Sequence, residues 1–295
     1  MEILTVENLS KNYGNIKALK NVSFSVPKGT VFGILGPNGS GKTTLLGIIM
    51  DVLKSTSGGY KIFGQEPTND HRKQMGTLLE TPNFYHYLSA VQNLRIAAAI
   101  KERGVEDIDR VLDIVNLATR KNSRFSTYSL GMKQRLAIGA ALLGNPDVLV
   151  FDEPTNGLDP VGIAEIRELI KKLSQQGKTI IMASHLLDEV EKVCTHVAIL
   201  KQGTLITHGD VNEILVNEDM VEVSAPDLQQ LQTVLKQIPG STKVEQDDKV
   251  MRIYFPSGTA DLAAVNKFCF NNGIVLSHLQ LKKKSLESKF FELTN

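Results

Sequence analysis

"GPNGSGKTT" is the stretch of this chain most committed to one chemistry. It comprises Gly36, Pro37, Asn38, Gly39, Ser40, Gly41, Lys42, Thr43 and Thr44, and it fits the pattern G-x-x-x-x-G-K-[ST]. The apolar run "VFGIL" (31–35) precedes it and an apolar helical stretch follows. In that setting the glycines let successive backbone N–H groups point into one concavity at a helix N-terminus, an anion nest suited to phosphates. Lys42 can reach the β- and γ-phosphates of a nucleotide, and the Thr43 hydroxyl can ligate Mg²⁺.

"VLVFDEP" (148–154) supplies the acidic groups. A buried strand ends in Asp152, placed to hold Mg²⁺ through water, and Glu153 follows, placed to polarise an attacking water. Alone, this stretch reads equally well as a strand end and a polar turn; the phosphate loop upstream favours the chemistry. Between the two lies "YSLGMKQRLAIGAALL", beginning at Tyr128. Ser129 is suited to cap a helix there, Gly131 falls in its first turn, and Leu136, Ala140 and Leu143 mark one apolar face. That N-terminus is a second anion site. One chain then has two phosphate-binding features for one nucleotide. A dimer in which each chain's second site completes the other's first resolves this.

These residues need a scaffold, and the rest of the sequence describes one. "VFGIL", "VLVF" (148–151) and "TIIMAS" (179–184) are short continuous apolar runs that suit fully buried parallel strands of an α/β sheet. "NVSFSV" alternates like a half-buried antiparallel strand, and "HVAILKQGTLITHG" reads as a hairpin around Gln202-Gly203. From Thr77 to Leu143 the pattern is helical with little strand signal, which predicts an inserted helical subdomain. Near residue 216 the character changes. The order "VEVSA", "PDLQQLQTVLKQI", "TKVEQ", "VMRIYF", "DLAAVNKFCFNNG", "VLSHLQL" predicts β-α-β-β-α-β, a small ferredoxin-like domain without a catalytic constellation.

At 295 residues, one large and one small domain are expected. With 33 Lys and Arg against 32 Asp and Glu, no basic surplus draws the chain to nucleic acid or anionic lipid. The run Lys282-Lys283-Lys284 reads as a solvated strand edge. Cys194 and Cys269 stand in no paired spacing and read as small buried hydrophobes of a reducing compartment. "MEILTVENLSKNYG" lacks a basic flank followed by an apolar stretch, so no signal peptide is expected. No window approaches the roughly 18 to 20 apolar residues of a membrane span. The chain should be soluble, and any work at a membrane should be done from outside the bilayer.

The order Tyr13, Gly36–Thr43, Ser129–Gly131, Asp152–Glu153, "GLD" (157–159) and "SH" (184–185) resembles the ATP-binding cassette of ABC transporters, over residues 1–215. The resemblance implies a P-loop NTPase fold of class α/β, with a mixed sheet core, an antiparallel β subdomain and a helical subdomain at about 77–145. Residues 216–295 would then form the α+β accessory domain. It further implies a head-to-tail dimer, homomeric or heteromeric, that sandwiches two ATP molecules with Mg²⁺. Tyr13 would stack on adenine. Ser129 and Gly131 would contact the γ-phosphate of the ATP held by the other chain. Asp159 would link the two sites, and His185 would reach the γ-phosphate. A lone tyrosine is usually packing and a lone strand-end histidine usually a hydrogen-bonded one; here order and spacing reverse those odds.

Two departures from the family stand out. The signature reads Ser-Leu-Gly-Met after Tyr128 where Leu-Ser-Gly-Gly-Gln is usual, so Leu130 and Met132 are bulkier than expected. In "GTLLETPNFYHYL", Glu80 occupies the place of the family's Q-loop glutamine, which touches Mg²⁺ and the attacking water. A carboxylate can ligate Mg²⁺ as an amide oxygen can, adding a charge and losing a donor. Glu80 together with "SLGMKQR" resembles the ATPases of bacitracin-resistance and lantibiotic-immunity exporters.

The resemblance implies an ATP-hydrolysing subunit, cytoplasmic and peripheral on the inner face of the membrane, that powers export of a drug, antibiotic peptide or lipid-like substrate through a separate transmembrane permease. The loop after Glu80, with Phe84, Tyr85 and Tyr87, is the expected docking place, unless those aromatics only pack the helical subdomain. Two rival readings stand beside this one. A soluble ATPase acting on nucleic acid or ribosomes lacks support from a second cassette, zinc modules, heptads or basic charge. A non-hydrolysing, nucleotide-sensing regulator is opposed by the intact Lys42, Asp152, Glu153 and His185.

Overall fold

Two antiparallel strands open the chain, β1 (Glu2–Tyr13) and β2 (Ile16–Pro27), with Tyr13 opposite Ile16 at the hairpin tip. The computed structural model describes residues 1–79, 83–215, 218–256 and 258–282. It divides into two units, Met1–Asp210 and Val211–Asn295. In the first, β3 (Val31–Leu35) enters the core with every residue buried, and α1 (Lys42–Ile49) follows the intervening loop. β4 (Ser57–Ile62) then returns to β1 and completes a three-stranded antiparallel sheet in the order β2-β1-β4.

A short α2 (Asn69–Lys73) leads into β5 (Met75–Leu78). Three α-helices come next among the described residues: α3 (Ala90–Lys101), started by a Ser89/Gln92 capping box, α4 (Ile108–Ile114) and α5 (Leu130–Leu142). β6 (Val148–Asp152), α6 (Pro160–Gln175), β7 (Thr179–Ser184), α7 (Leu187–Glu191), β8 (His196–Lys201) and β9 (Thr204–Asp210) complete the unit.

The six-stranded sheet has the order β5-β6-β7-β3-β8-β9, parallel throughout except for β9. β3, β6 and β7 are buried along their whole length, which is why their sequences are unbroken apolar runs. β8 and β9 form the expected hairpin. Gln202 and Gly203 both take positive φ, 49° and 79°, as the tight turn of a twisted hairpin requires.

Two expectations need correction. Thr77 and Leu78 close β5 rather than open a helical segment; a four-residue edge strand is too short to impose a period of two on the sequence. The apolar stripe of Leu136, Ala140 and Leu143 understates α5, in which Gln134, Leu136, Ala137, Ile138, Gly139, Ala141 and Leu142 are all buried. Leu143 lies past the helix end as its C-cap. β5, α3 and α4 all pack against α5, so it has no single inward face.

The second unit comprises α8 (Val211–Leu215), β10 (Glu218–Ser224), α9 (Leu228–Leu235), β11 (Lys243–Asp247), β12 (Val250–Pro256), α10 (Leu262–Asn271) and β13 (His278–Lys282). Its antiparallel sheet runs β11-β12-β10-β13, the ferredoxin-like order. Asp227 and Asp261 cap α9 and α10 through their side chains. Val221, Val223, Leu231, Leu235, Met251, Ile253 and Cys269 form the core.

Alternation turns Glu222 to the opposite face of the sheet, yet it is only 5% exposed. Its carboxylate lies 2.7 Å from Lys282 Nζ and 3.4 Å from Arg252 Nε. Lys282 is thus on an edge strand, as expected, but its ammonium holds a buried carboxylate instead of standing in water alone. Lys283 and Lys284 lie outside the described residues. Burial pushes the Glu222 carboxyl up; Lys282 and Arg252 outweigh it and hold the group below its ordinary value. A carboxylate depressed on folding stabilises above its unfolded value, and that stability is lost as pH falls through the folded one. Glu222→Gln should therefore destabilise this unit by about 1–3 kcal/mol at pH 7. The deficit should begin to shrink as pH falls past the ordinary glutamate value of about 4.3 and close only at lower pH, as the folded group itself protonates, read by circular dichroism in urea at several pH values.

Candidate active site

The candidate residues meet because β6, β7 and β3 are neighbours and parallel, so their carboxyl ends share one edge of the sheet. That edge is where open α/β sheets bind ligands. β3 ends at Leu35 and runs into the phosphate loop, β6 ends in Asp152, and β7 ends in Ser184. Glycine is needed at both ends of the loop. A Cβ on Gly36 would lie 2.3 Å from the Leu200 carbonyl oxygen, and one on Gly41, whose φ is 106°, would lie 2.7 Å from that of Ala18. The β8–β9 turn braces the loop from behind, Gly203 N donating to Ser40 O at 3.0 Å.

Lys42 is 5% exposed. Its ammonium donates to Gly36 O at 2.8 Å and Pro37 O at 3.3 Å, and lies 3.4 Å from Glu153 Oε1. The other oxygen of Glu153, Oε2, is 2.8 Å from His185 Nδ1. Glu153 has φ 49°, a left-handed conformation that costs a residue with a Cβ about 1–2 kcal/mol. Its N–H donates to Ala183 O at 3.0 Å, which ties the strained residue to β7. Ser184 Oγ accepts from Leu186 N at 3.0 Å and turns the chain, which presents His185. The result is a carboxylate held between an ammonium and an imidazole, next to a loop built for anions.

Asp152 is buried at its strand end, while Thr43 stands exposed in the first turn of α1 with Thr44 half-buried behind it. One carboxylate and one hydroxyl are hard oxygen donors; they fit Mg²⁺, which ordinarily fills its remaining positions with phosphate oxygens and water. Pro37, Asn38 and Gly39 are exposed at the loop crest, and Ser40 is buried beneath it. Glu80 lies outside the described residues.

A second group is built on the starts of α5 and α6. Ser129 is the N-cap of α5, its Oγ accepting from Met132 N at 3.3 Å. Asp159 caps α6, its Oδ1 accepting from Gly162 N at 2.8 Å, with Pro160 opening the helix. The two starts approach each other: a Cβ on Gly157 would lie 3.3 Å from Leu130 Cδ2, and one on Gly131 4.0 Å from Leu158 Cδ2. No hydrogen bond or ion pair among the described residues joins Ser129, Gly131, Asp159 or Tyr13 to the Lys42–Glu153–His185 group. Tyr13 is 45% exposed at its hairpin tip, with the Lys11 ammonium 5.0 Å from the ring centroid.

Of the three loop aromatics, Phe84 packs edge-on against Phe125, centroids 5.2 Å apart. Tyr85 and Tyr87 are 51% and 69% exposed. Asn93, which the sequence did not single out, holds this loop from α3. It is 2% exposed, accepts from Tyr85 N at 2.8 Å and donates to Tyr85 O at 3.1 Å and Ser89 O at 3.0 Å. Phe84, Tyr85, Ile96, Ala97 and Ile100 line a cleft of about 330 Å³ beside it.

Residues 19–156 match the family model described as ABC transporter. The bacitracin transport ATP-binding protein BcrA of Enterococcus faecalis is 34% identical, over 99% of this chain and 96% of its own length. The lantibiotic transport ATP-binding protein SrtF of Streptococcus pyogenes is 37% identical, over 69% of this chain and 89% of its own. Among solved structures, cbiO1 of Clostridium perfringens, part of the transporter complex cbiONQ, matches with TM-score 0.65 and 31% identity, covering 72% of this chain and 90% of that one. A dimeric ATP-binding cassette bound to ADP and Pi matches with TM-score 0.63 and 28% identity, over 70% of this chain and 98% of that one.

Lys42→Ala should weaken nucleoside triphosphate binding by about 10- to 100-fold, the worth of a buried charge-assisted contact. Titration calorimetry reads this directly. Unchanged affinity would mean the loop does not hold phosphate.

Proposed function

This chain belongs to the ATP-binding subunits of ABC transporters, and from that premise we propose that it hydrolyses Mg·ATP to drive export of an antibiotic peptide or a drug-like or lipid-like compound. The observation that carries the catalytic part is the Lys42–Glu153–His185 contact at the shared edge of β3, β6 and β7. The export part is supported by relatives named for bacitracin and lantibiotic transport, the first of them similar over 99% of this chain.

Each residue has a role that follows from its chemistry. The N–H groups of the loop Gly36–Thr44 cradle the phosphates, and Lys42 places its charge against the β- and γ-phosphates. Thr43 and Asp152, with Glu80, would hold Mg²⁺, which neutralises charge on the phosphates. Glu153 orients and polarises the attacking water, and His185 fixes that carboxylate and reaches the γ-phosphate. Tyr13 supplies a ring face for adenine.

Ser129 and Gly131 serve the nucleotide of a second ATP-binding subunit in a head-to-tail dimer. That reading is supported by the lack, among the described residues, of any hydrogen bond or ion pair tying them to the first group, and by the dimeric cassette among the structural neighbours. Asp159, which caps α6 directly after the turn leading from Glu153, links the two sites. Closure on ATP and reopening after hydrolysis make a ligand-biased two-state cycle.

No helix among the described residues is long and apolar enough to cross a membrane. We assign the path for the exported compound to a separate permease subunit, a reading supported by the neighbour cbiO1, which is part of a transporter complex. We place the chain at the inner face of the membrane, with the permease docked on Tyr85, Tyr87 and the cleft beside them. We assign residues 1–215 to the cassette and 216–295 to an accessory domain, although the compact units part five residues earlier, after Asp210. The two soluble alternatives are not favoured, since the match over nearly the whole chain is to a transport subunit.

Glu153→Gln should bind ATP yet turn it over at least about 100-fold more slowly, because the amide keeps the shape and loses the base. Size-exclusion chromatography with Mg·ATP should then show the closed dimer accumulating; a monomer under saturating ATP would contradict the sandwich. For Glu80 the two substitutions should part company. Glu80→Ala should lower turnover, while Glu80→Gln, which keeps one oxygen, should retain part of it and shift the Mg²⁺ dependence. Wild-type rates and Mg²⁺ dependence in both variants would remove Glu80 from the site.

A further inference from the structure

α5 carries Ser129 and Gly131 at one end, and its other end is held by charged groups from the α3–α4 connection. Lys101, the last residue of α3, donates from Nζ to Ala140 O at 2.7 Å and Ala141 O at 3.2 Å. Both belong to the last turn, whose carbonyls lack the i+4 partner of a mid-helix residue; Ala140 O also accepts from the N–H of the C-cap Leu143, at 3.4 Å. Just past the C-cap Leu143, Gly144 N donates to Asp107 Oδ2 at 2.9 Å, while Asp107 Oδ1 accepts from Arg110 Nη2 at 2.8 Å. Cation on carbonyls and carboxylate on N–H together hold one helix terminus.

The backbone beneath leaves no slack. A Cβ on Gly76 of β5 would lie 2.2 Å from Ala141 O, and one on Gly104 would lie 2.3 Å from Gly144 N. Burial, with Arg103 beside it, lowers Lys101 to about 8, so this ammonium gives up much of its hydration to reach the helix end.

A helix of 13 residues spans about 20 Å, so a tilt of about 3° at the gripped end moves the far end by about 1 Å. At a reacting centre, a misplacement of about 1 Å costs up to about 100-fold in rate. We propose that Lys101, with Asp107, is a positioning residue for ATP hydrolysis: it fixes the far end of α5 and thereby sets where Ser129 and Gly131 meet the nucleotide of the second subunit. This rests on the reading that the Ser129 end of α5 serves that nucleotide.

The test uses the full chain and four variants: Lys101→Met, Lys101→Gln, Lys101→Arg and Ser129→Ala. For each, the affinity of the subunit for a fluorescent ATP analogue, steady-state kcat and KM, and the dimer fraction in a Glu153→Gln background are measured. Lys101→Met should keep nucleotide affinity within about twofold and lower kcat by about tenfold, with a matching loss of ATP-dependent dimer. Lys101→Arg, which restores a cationic donor, should recover most of that loss. If Lys101→Met does not fold, Lys101→Gln, which keeps a single donor, is read by the same criteria.

An unchanged kcat in the Lys101 variants beside a lowered one in Ser129→Ala would overturn the positioning role alone. Equal loss of nucleotide affinity and turnover in a folded Lys101 variant would reduce the grip to general stability, and also overturn it. An unchanged kcat and dimer fraction in Ser129→Ala would overturn the assignment of α5 to the second nucleotide, and the proposal with it.

Discussion

Glu153 lies 3.4 Å from the Lys42 ammonium and 2.8 Å from the His185 imidazole, and these two contacts join the ends of three neighbouring strands. Their meeting depends on strand order. The next strands of this sheet along the chain after β3 are β5 and β6, but in space β7 comes between β3 and β6. With β7 in that place, the lysine after the first strand of this sheet and the histidine after the fourth meet the carboxylate of the glutamate after the third. Parallel pairing puts all three on the same edge, and full burial of the strands keeps that edge from shifting. The left-handed backbone at Glu153 fits the same account. Its strain persists because hydrogen bonds to β7 and to the following turn leave no alternative path.

Much of this was legible in the sequence because chemistry had fixed residue types at fixed spacings. A phosphate loop needs glycines where backbone meets backbone, and Gly36 and Gly41 are such places. Buried parallel strands need unbroken apolar runs, and β3, β6 and β7 have them. Gln202-Gly203 announced its hairpin because a tight turn requires positive φ.

What the sequence hid has an equally physical reason. β5 is four residues long and carries Gly76 in its middle, so it has almost no periodicity. The enclosure of α5 on most of its sides comes from three different elements, none of them near it in sequence. Asn93 and Lys101 are polar residues in a helix, and in one dimension nothing separates a polar residue facing water from one bonded to another segment's backbone. The pairing of Glu153 with His185 spans 32 residues and had to await the sheet.

The burial of Lys42 has a consequence for energetics. The protein's own atoms leave it only 5% exposed, with two carbonyls and a carboxylate where water would otherwise stand. Its dehydration is therefore largely completed during folding, and capture of a phosphate by this group would be an exchange of partners. Affinity from this group becomes a small difference between two large attractions, which leaves it sensitive to slight movements of β6 against β3. The same exchange has a second product. Were phosphate oxygens to take the ammonium, Glu153 Oε1 would be released from it while Oε2 kept the imidazole, so the arriving substrate would itself free the oxygen that can accept from an attacking water.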